Sequence, residues 1–166
     1  MTPLDDPARL AELERLDLLE GRPDAGFDRY TQLAAEMLQA PVALVSLVQP
    51  DRQSFLSRSA HEEPWASTES TPLSHSFCRH AVESRAPLVI EDAREHPLVS
   101  GNPAIEELNV IAYAGAPIMT RDDQAIGTLC VMDHEPRQWT PEQVGMLTDL
   151  AATVAREIEL RAKMRR

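Results

Sequence analysis

The sequence predicts an α+β domain built on an antiparallel β-sheet, with helices at both ends of the chain. Three observations support this fold class. Two segments with helical spacing of apolar residues come before any strand, an uninterrupted apolar run over residues 42–48 follows them, and a helix with a well-marked start occupies residues 141–163. The length of 166 residues suits one domain, which we expect to span residues 1–166 with a core over about 24–160.

The N-terminal part of the chain predicts two helices. Asp6 is a suitable cap for the first, Pro7 fits its first turn, and leucines recur at three-residue spacing over residues 7–20. A break at residues 21–24 ends this helix, and an apolar stripe over residues 25–39 indicates the second one.

The central part of the chain predicts strands and one short helix. The run at residues 42–48 is rich in β-branched residues and typical of a strand covered on both faces, and residues 53–57 suit its hairpin partner. Residues 61–73 are polar and predict a surface loop, after which Ser74 caps a short helix. Residues 88–90 predict the next strand.

The following segment predicts a second hairpin. Residues 102–103 indicate a single helical turn, residues 111–118 a strand, and residues 125–132 the strand that pairs with it. Pro117 has no backbone N–H, so we expect it at an edge or near the end of the pairing.

The last helix begins at a capping box formed by Thr140 and Gln143. Apolar residues at alternating spacings of three and four form a heptad stripe along it: Val144, Leu147, Ala151, Val154 and Ile158. Two interpretations stay open. The stripe packs on the domain's own sheet, or the stripe, or Leu150 and Leu160 beside it, also forms the interface of a homodimer.

The composition excludes several classes of function. With 27 acidic and 16 basic residues and a net charge of −11, the chain has no electrostatic footprint for nucleic acid or an anionic membrane. Lys163 is the only lysine, which excludes a P-loop or Schiff-base lysine in the body of the domain. Two cysteines, Cys78 and Cys130, are typical of a protein in a reducing cytoplasm, where we expect this chain.

The chain carries a series of short motifs whose order and spacing are characteristic. They are Pro41–Val48, Asp51–Gln53, Ser76–Ala81, Pro87–Asp92, Asn102–Pro103, Tyr113–Pro117 and Ile126–Asp133. Over roughly residues 8–160 this series resembles a GAF domain, of the kind that precedes histidine kinases, cyclases and phosphodiesterases in bacterial signalling proteins. The resemblance implies a PAS-related, six-stranded antiparallel sheet with the N- and C-terminal helices packed on one face and a ligand pocket on the other.

The candidate pocket follows from strand alternation. Ser46 shares a face with Val42, Leu44 and Val48, while Thr128 and Cys130 share a face with Ile126 and Met132. A buried hydroxyl on an apolar face needs a hydrogen-bond partner. We therefore expect either core packing or ligand contact for a floor of Ser46, Thr128 and Cys130 and walls of Phe77, Cys78 and Tyr113.

Catalytic and cofactor chemistry is less well supported. Cys78 and His80 are two positions apart, so on a helix they point in different directions and do not form a nucleophile–base pair. One branch of the resembled family reduces free methionine sulfoxide with cysteines close to its pocket. Cys78 and Cys130 are candidates for such a couple, as nucleophile and resolving thiol, but the closely spaced cysteines of that branch are missing. Residues 91–110 hold no cysteine, so we expect no covalent bilin, and the histidines have no metal-ligand spacing.

These observations predict a non-catalytic sensory domain of a signalling protein, for example in a two-component system. We expect it to bind an unidentified small molecule or partner, to form a homodimer through its terminal helices, and to act on a downstream kinase or cyclase domain. The alternatives are a thiol-redox enzyme of the free methionine sulfoxide reductase type and a dimerisation or scaffold domain without ligand. The sequence leaves the cofactor unknown.

Overall fold

The computed structural model describes residues 3–164. Residues 1, 2, 165 and 166 of the predicted domain lie outside that range. The strands are β1 Val42–Val48, β2 Arg52–Ala60, β3 Ser70–Pro72, β4 Leu88–Ile90, β5 Ala112–Met119 and β6 Ala125–Asp133. The helices are α1 Pro7–Arg15, α2 Asp28–Leu38, α3 Cys78–Ser84, α4 Ala104–Glu107 and α5 Pro141–Met164.

The six strands form one antiparallel sheet in the order β3-β2-β1-β6-β5-β4. The two central strands, β1 and β6, are each covered on both faces, and all seven residues of β1 are buried. This confirms the predicted fold class, and it explains the uninterrupted apolar run of β1. Pro117 pairs with Thr128 beyond the point where β4 stops at Leu88, so its missing N–H faces no further strand.

The long helices cover one face of the sheet. The core on this side is formed by side chains of α1, α2 and α5 against inward residues of β1, β5 and β6. The heptad stripe of α5 belongs to this core: Leu147, Ala151, Val154 and Ile158 are 0–3 % exposed, and Val144 packs against its margin. The stripe therefore packs on the domain's own sheet, the first of the two interpretations.

The start of α5 has the geometry that its sequence predicts. The backbone N–H of Thr140 donates to Gln143 Oε1 at 2.9 Å, and the backbone N–H of Gln143 donates to Thr140 Oγ1 at 3.1 Å. The reciprocal pair satisfies two backbone donors that a helix start leaves free.

Two predictions of secondary-structure bounds were wrong. Helix α1 ends at Arg15 rather than near residue 20, because Asp17 adopts a left-handed conformation (φ 59°) and the N–H of Leu18 turns back to Leu13 O at 2.8 Å. The segment predicted as a loop at residues 61–73 contains β3, which pairs with the start of β2. Three residues are too few to show an alternating pattern.

Arg9 fastens α1 to the ends of the two central strands. Its guanidinium, in a residue only 3 % exposed, donates to Val48 O at 2.7 Å and to Leu4 O at 3.0 Å, with Ala125 O at 3.5 Å. Burial lowers the pKa of Arg9, against the attraction of Asp5 and Asp6. The N-terminal helix is thereby tied to the sheet through a buried cation.

Candidate functional site

The predicted site lies on the face of the sheet opposite the long helices, beneath α3. Cys78 opens α3, and its Sγ accepts hydrogen bonds from Thr128 Oγ1 at 3.1 Å and from Tyr113 Oη at 3.2 Å. Cys130 Sγ is 3.9 Å from Cys78 Sγ, and the ring of Phe77 is 5.5 Å from the ring of Tyr113. The six predicted residues therefore meet in one cluster, since Ser46 pairs directly with Thr128 across β1 and β6.

The strand register explains how the cluster forms. Cys130 lies opposite Gly115 on β5, two residues from Tyr113, so all three point to the same face. Gly115 leaves the space that the tyrosine needs, because a Cβ at this position would lie 2.3 Å from Tyr113 Oη. The phenol can then lean across the strand and reach Cys78.

Every member of the cluster is buried. The exposed fractions of the six predicted residues are 0–3 %. Five surface grooves of about 450–650 Å³ lie elsewhere on the described part of the chain, and none of these five is lined by a member of the cluster. The side chains pack on one another in this structure, and their contact with a ligand stays a prediction.

Ile126 does not share the face of Thr128 and Cys130, which corrects the predicted alternation. The register of β5 against β6 shifts here: Ile118 pairs with Gly127 and Met119 with Ala125, which leaves Ile126 as an extra residue. A bulge of this kind reverses the side-chain direction. Ile126 accordingly packs into the core on the side of the long helices.

The two thiols have different proton affinities. Burial raises the pKa of Cys78, but hydrogen bonding to Cys130, Thr128, Tyr113 and Ser46 outweighs it and brings this pKa below that of an ordinary thiol. The pKa of Cys130 is raised mainly by burial and, to a smaller extent, by the interaction with Cys78. Burial and the neighbouring Cys78 likewise raise the pKa of Tyr113. Cys78 is therefore the group in the cluster that ionises first.

A polar extension of the cluster was missed by the sequence analysis. Gln53 Oε1 accepts hydrogen bonds from Ser46 Oγ at 3.3 Å and from Ser76 Oγ at 2.6 Å. Ser76 Oγ also accepts from the backbone N–H of Arg79 at 3.1 Å, so Ser76, and not Ser74, serves the start of α3. The available signal was that Gln53 and Ser76 both lie in motifs that carry the family resemblance, Asp51–Gln53 and Ser76–Ala81.

Two side chains beside this extension have an unpaired polar atom. Thr71, 6 % exposed and paired with Gln53 across β2 and β3, has no hydrogen-bond partner for its buried Oγ1. Arg79 has none for its buried Nε. One donor of Arg79, whose backbone N–H binds Ser76, and the hydroxyl of Thr71, which is paired with Gln53, therefore remain unused, which is unusual for buried polar atoms.

The described residues contain neither a cluster of metal-ligating side chains nor a membrane-spanning helix. Among residues 3–164, no group of three or more histidine, cysteine or acidic side chains is arranged to hold a metal ion. Within the same range, no helix combines the length and the apolar character that crossing a bilayer requires.

A six-stranded antiparallel sheet with terminal helices on one face and a buried polar cluster under short helices on the other defines a GAF-like α+β domain. The family model for the GAF domain matches residues 22–158, and the chain belongs to the GAF domain family. Domains of this family are typically non-catalytic and serve signalling proteins.

Known proteins agree with this assignment. The chain is 33 % identical over 158 residues to a cyclic di-GMP phosphodiesterase of Pseudomonas aeruginosa. The matched region covers 94 % of this chain and 26 % of the relative. The chain thus spans about a quarter of the length of this curated relative.

Two solved structures show the same fold. The GAF domain of Thermosynechococcus elongatus PixJ in its blue-light absorbing form has a TM-score of 0.70 at 21 % identity and covers 94 % of this chain and 92 % of its own. The free methionine-R-sulfoxide reductase of Neisseria meningitidis with its substrate has a TM-score of 0.66 at 17 % identity, over 92 % and 87 %.

Proposed function

We propose that this chain is a non-catalytic sensory domain that binds a small molecule on the face covered by α3 and relays its binding through α1 and α5 to an effector domain. The observation that carries the proposal is the pair of unpaired polar atoms on Thr71, which is paired with Gln53, and on Arg79, whose backbone N–H binds Ser76. A ligand with an acceptor oxygen satisfies the Arg79 donor, and the Thr71 hydroxyl offers a second contact.

The terminal helices are linked in a way that suits a relay. Arg15 of α1 donates to Glu159 of α5 at 2.8 Å and to Glu12 at 2.8 Å, and these two carboxylates are 14 % and 8 % exposed. Arg161 of α5 pairs with Asp24 at 2.6 Å, ahead of α2. A ligand shifts such an assembly only by binding two arrangements of the helices with different affinity.

Recovery of the natural ligand tests the binding step. The protein is purified under native conditions and denatured, and the released small molecules are identified by mass spectrometry. We expect one compound in near-stoichiometric amount from the wild type and from Arg94→Met, an exposed control whose side chain is 57 % exposed, but not from Arg79→Met. Absence of any compound from the wild type, or its retention by Arg79→Met, contradicts the proposed site.

The effector is proposed from the curated relative. Its cyclic di-GMP phosphodiesterase activity favours a phosphodiesterase of this class over the kinase or cyclase that we expected from the sequence. A chimaera in which this chain replaces the matching segment of the relative tests this, with phosphodiesterase rate as the readout. The rate should change on Arg15→Gln, which breaks the α1–α5 link, and stay constant on the exposed control Arg22→Gln. Equal rates in all three chimaeras contradict the relay.

A homodimer remains part of the proposal, with a revised interface. Because the α5 stripe lies in the core, substitution of Val154 or Ile158 by glutamate tests folding rather than dimerisation. Leu160 on α5 is 55 % exposed and suits an interface, and Leu98, 50 % exposed, offers a matched control. Sedimentation should show a wild-type dimer that Leu160→Glu converts to monomer and Leu98→Glu leaves intact. A monomeric wild type, or a dimer that survives Leu160→Glu, contradicts this interface.

The burial of both cysteines disfavours the thiol-redox enzyme, because its substrate would have to reach a sulfur atom. Cys78 and Cys130 are 2 % and 0 % exposed, so a methionine sulfoxide molecule cannot reach either sulfur unless α3 moves away. The ligand-free scaffold remains the alternative that the mass spectrometry above distinguishes.

A further inference from the structure

Two free cysteines face each other across the contact between α3 and β6. Cys78 and Cys130 are 52 positions apart in the chain, yet their Sγ atoms are 3.9 Å apart. A disulfide requires a sulfur–sulfur distance of about 2.05 Å. Forming this bond requires the two side chains to rotate and α3, a helix of only seven residues, to shift toward β6.

The surroundings assign different chemical roles to the two sulfur atoms. Cys78 Sγ accepts hydrogen bonds from the Thr128 and Tyr113 hydroxyls, and both interactions favour the thiolate. Burial and the neighbouring Cys78 raise the pKa of Cys130, which keeps it a thiol. The pair therefore consists of one nucleophilic sulfur and one protonated sulfur within reach of it.

We propose that Cys78 and Cys130 are an oxidation site at which a small hydroperoxide, with hydrogen peroxide as the simplest member, converts the two thiols into an intramolecular disulfide. The Cys78 thiolate attacks one peroxide oxygen, the O–O bond breaks, and Cys78 becomes a sulfenic acid while hydroxide leaves and takes up a proton. Cys130 then attacks the Cys78 sulfur, the S–O bond breaks, and a second water leaves. Two thiols and one peroxide thus yield one disulfide and two waters.

The burial of the pair selects the oxidant by size. Hydrogen peroxide is little larger than water and reaches the sulfur atoms through local opening of the short helix α3, whereas bulky disulfides do not. The reaction also changes the cluster, because a disulfide sulfur is a weaker acceptor than a thiolate. Thr128 and Tyr113 then lose their acceptor, and α3 becomes covalently fixed to β6. This inference does not rest on the proposed ligand-binding function.

Intact-mass measurement of the whole chain tests the site. The native protein is treated with hydrogen peroxide, quenched with catalase, denatured, and alkylated with N-ethylmaleimide. We expect the wild type to lose about 2 Da and to take up no alkylating group, since disulfide formation removes two hydrogens. Cys130→Ser should instead show a sulfenic acid that is captured by dimedone, because the second sulfur is absent.

The pH dependence of the rate of thiol loss distinguishes reaction of a stabilised Cys78 thiolate from reaction of a thiol that is simply exposed to solvent. Thr128→Val removes a hydroxyl that hydrogen-bonds to Cys78 Sγ, so the midpoint of its pH–rate profile should lie above that of the wild type. Thr153→Val makes the same change on the exposed face of α5 and should leave the profile unchanged. Two alkylatable thiols in the treated wild type, sulfinic or sulfonic products in place of the disulfide, or identical profiles for Thr128→Val and the wild type each overturn the proposal.

Discussion

Replacement of Arg9 by methionine tests whether a buried cation holds the N-terminal helix on the sheet. Methionine retains much of the apolar stem but none of the hydrogen bonds to Val48 O and Leu4 O. A buried carbonyl that loses its donor costs about 1–3 kcal/mol, which gives about 2–6 kcal/mol for two. Removing the guanidinium also removes the cost of burying its charge, so we expect a net loss of about 2–4 kcal/mol.

Denaturation by urea, followed through the fluorescence of the buried Trp65 and Trp139, measures this loss directly. The corresponding fall in melting temperature is about 2–4 °C for each kcal/mol in a domain of this size. Arg22→Met is the matched control, because the Arg22 side chain is 82 % exposed, and its effect should stay within about 0.5 kcal/mol. An Arg9→Met protein as stable as the Arg22→Met control refutes the argument that Arg9 anchors α1.

Three further changes test other contacts. Arg15 holds the pKa of the Glu159 carboxyl on α5 below its ordinary value of 4.5. Arg15→Gln should therefore destabilise the domain by about 1–3 kcal/mol at pH 7. Urea titrations should show this difference in stability shrinking as the pH falls through the folded-state pKa of Glu159. Thr140→Ala removes one bond of the capping box and should cost about 1 kcal/mol in the same assay, with a loss of zero contradicting the cap. Gly115→Ala should displace Tyr113 and cost about 1–3 kcal/mol, visible in near-ultraviolet circular dichroism, whereas Gly101→Ala, with no atom within 4 Å of its Cβ, should not.

The central strands were predictable because their signal is local. Burial on both faces forces an apolar run such as residues 42–48, and the alternation of side chains groups Thr128 with Cys130 on one face of their strand. The pairing of Ser46 with Thr128 then brings Ser46 to the same face. The meeting of these residues with Cys78 on α3 followed from the family resemblance rather than from periodicity. The capping box of α5 was also local, since its donors and acceptors lie three residues apart.

The features that escaped prediction depend on contacts between distant residues. Strand β3 has three residues and exists because Thr71 and its neighbours pair with the start of β2. The hydrogen bond of Ser76 to Gln53 joins positions 23 residues apart, and either residue alone is an ordinary surface type. Ile126 lies on the face opposite to the predicted one because a β-bulge interrupts the two-residue alternation, and strict alternation along the sequence does not predict a bulge.

The central strands give a physical reason to expect the two faces of the domain to be coupled. Ser46 and Thr128 pair across β1 and β6 and point toward α3, while the next residues, Val45 and Leu129, pair across the same strands and pack in the core under the long helices. Arg9 binds the carbonyl at the end of β1. A ligand or a disulfide that shifts these strands on one side must therefore alter packing against α1 and α5 on the other, because a close-packed core has no free space in which the displacement can be lost.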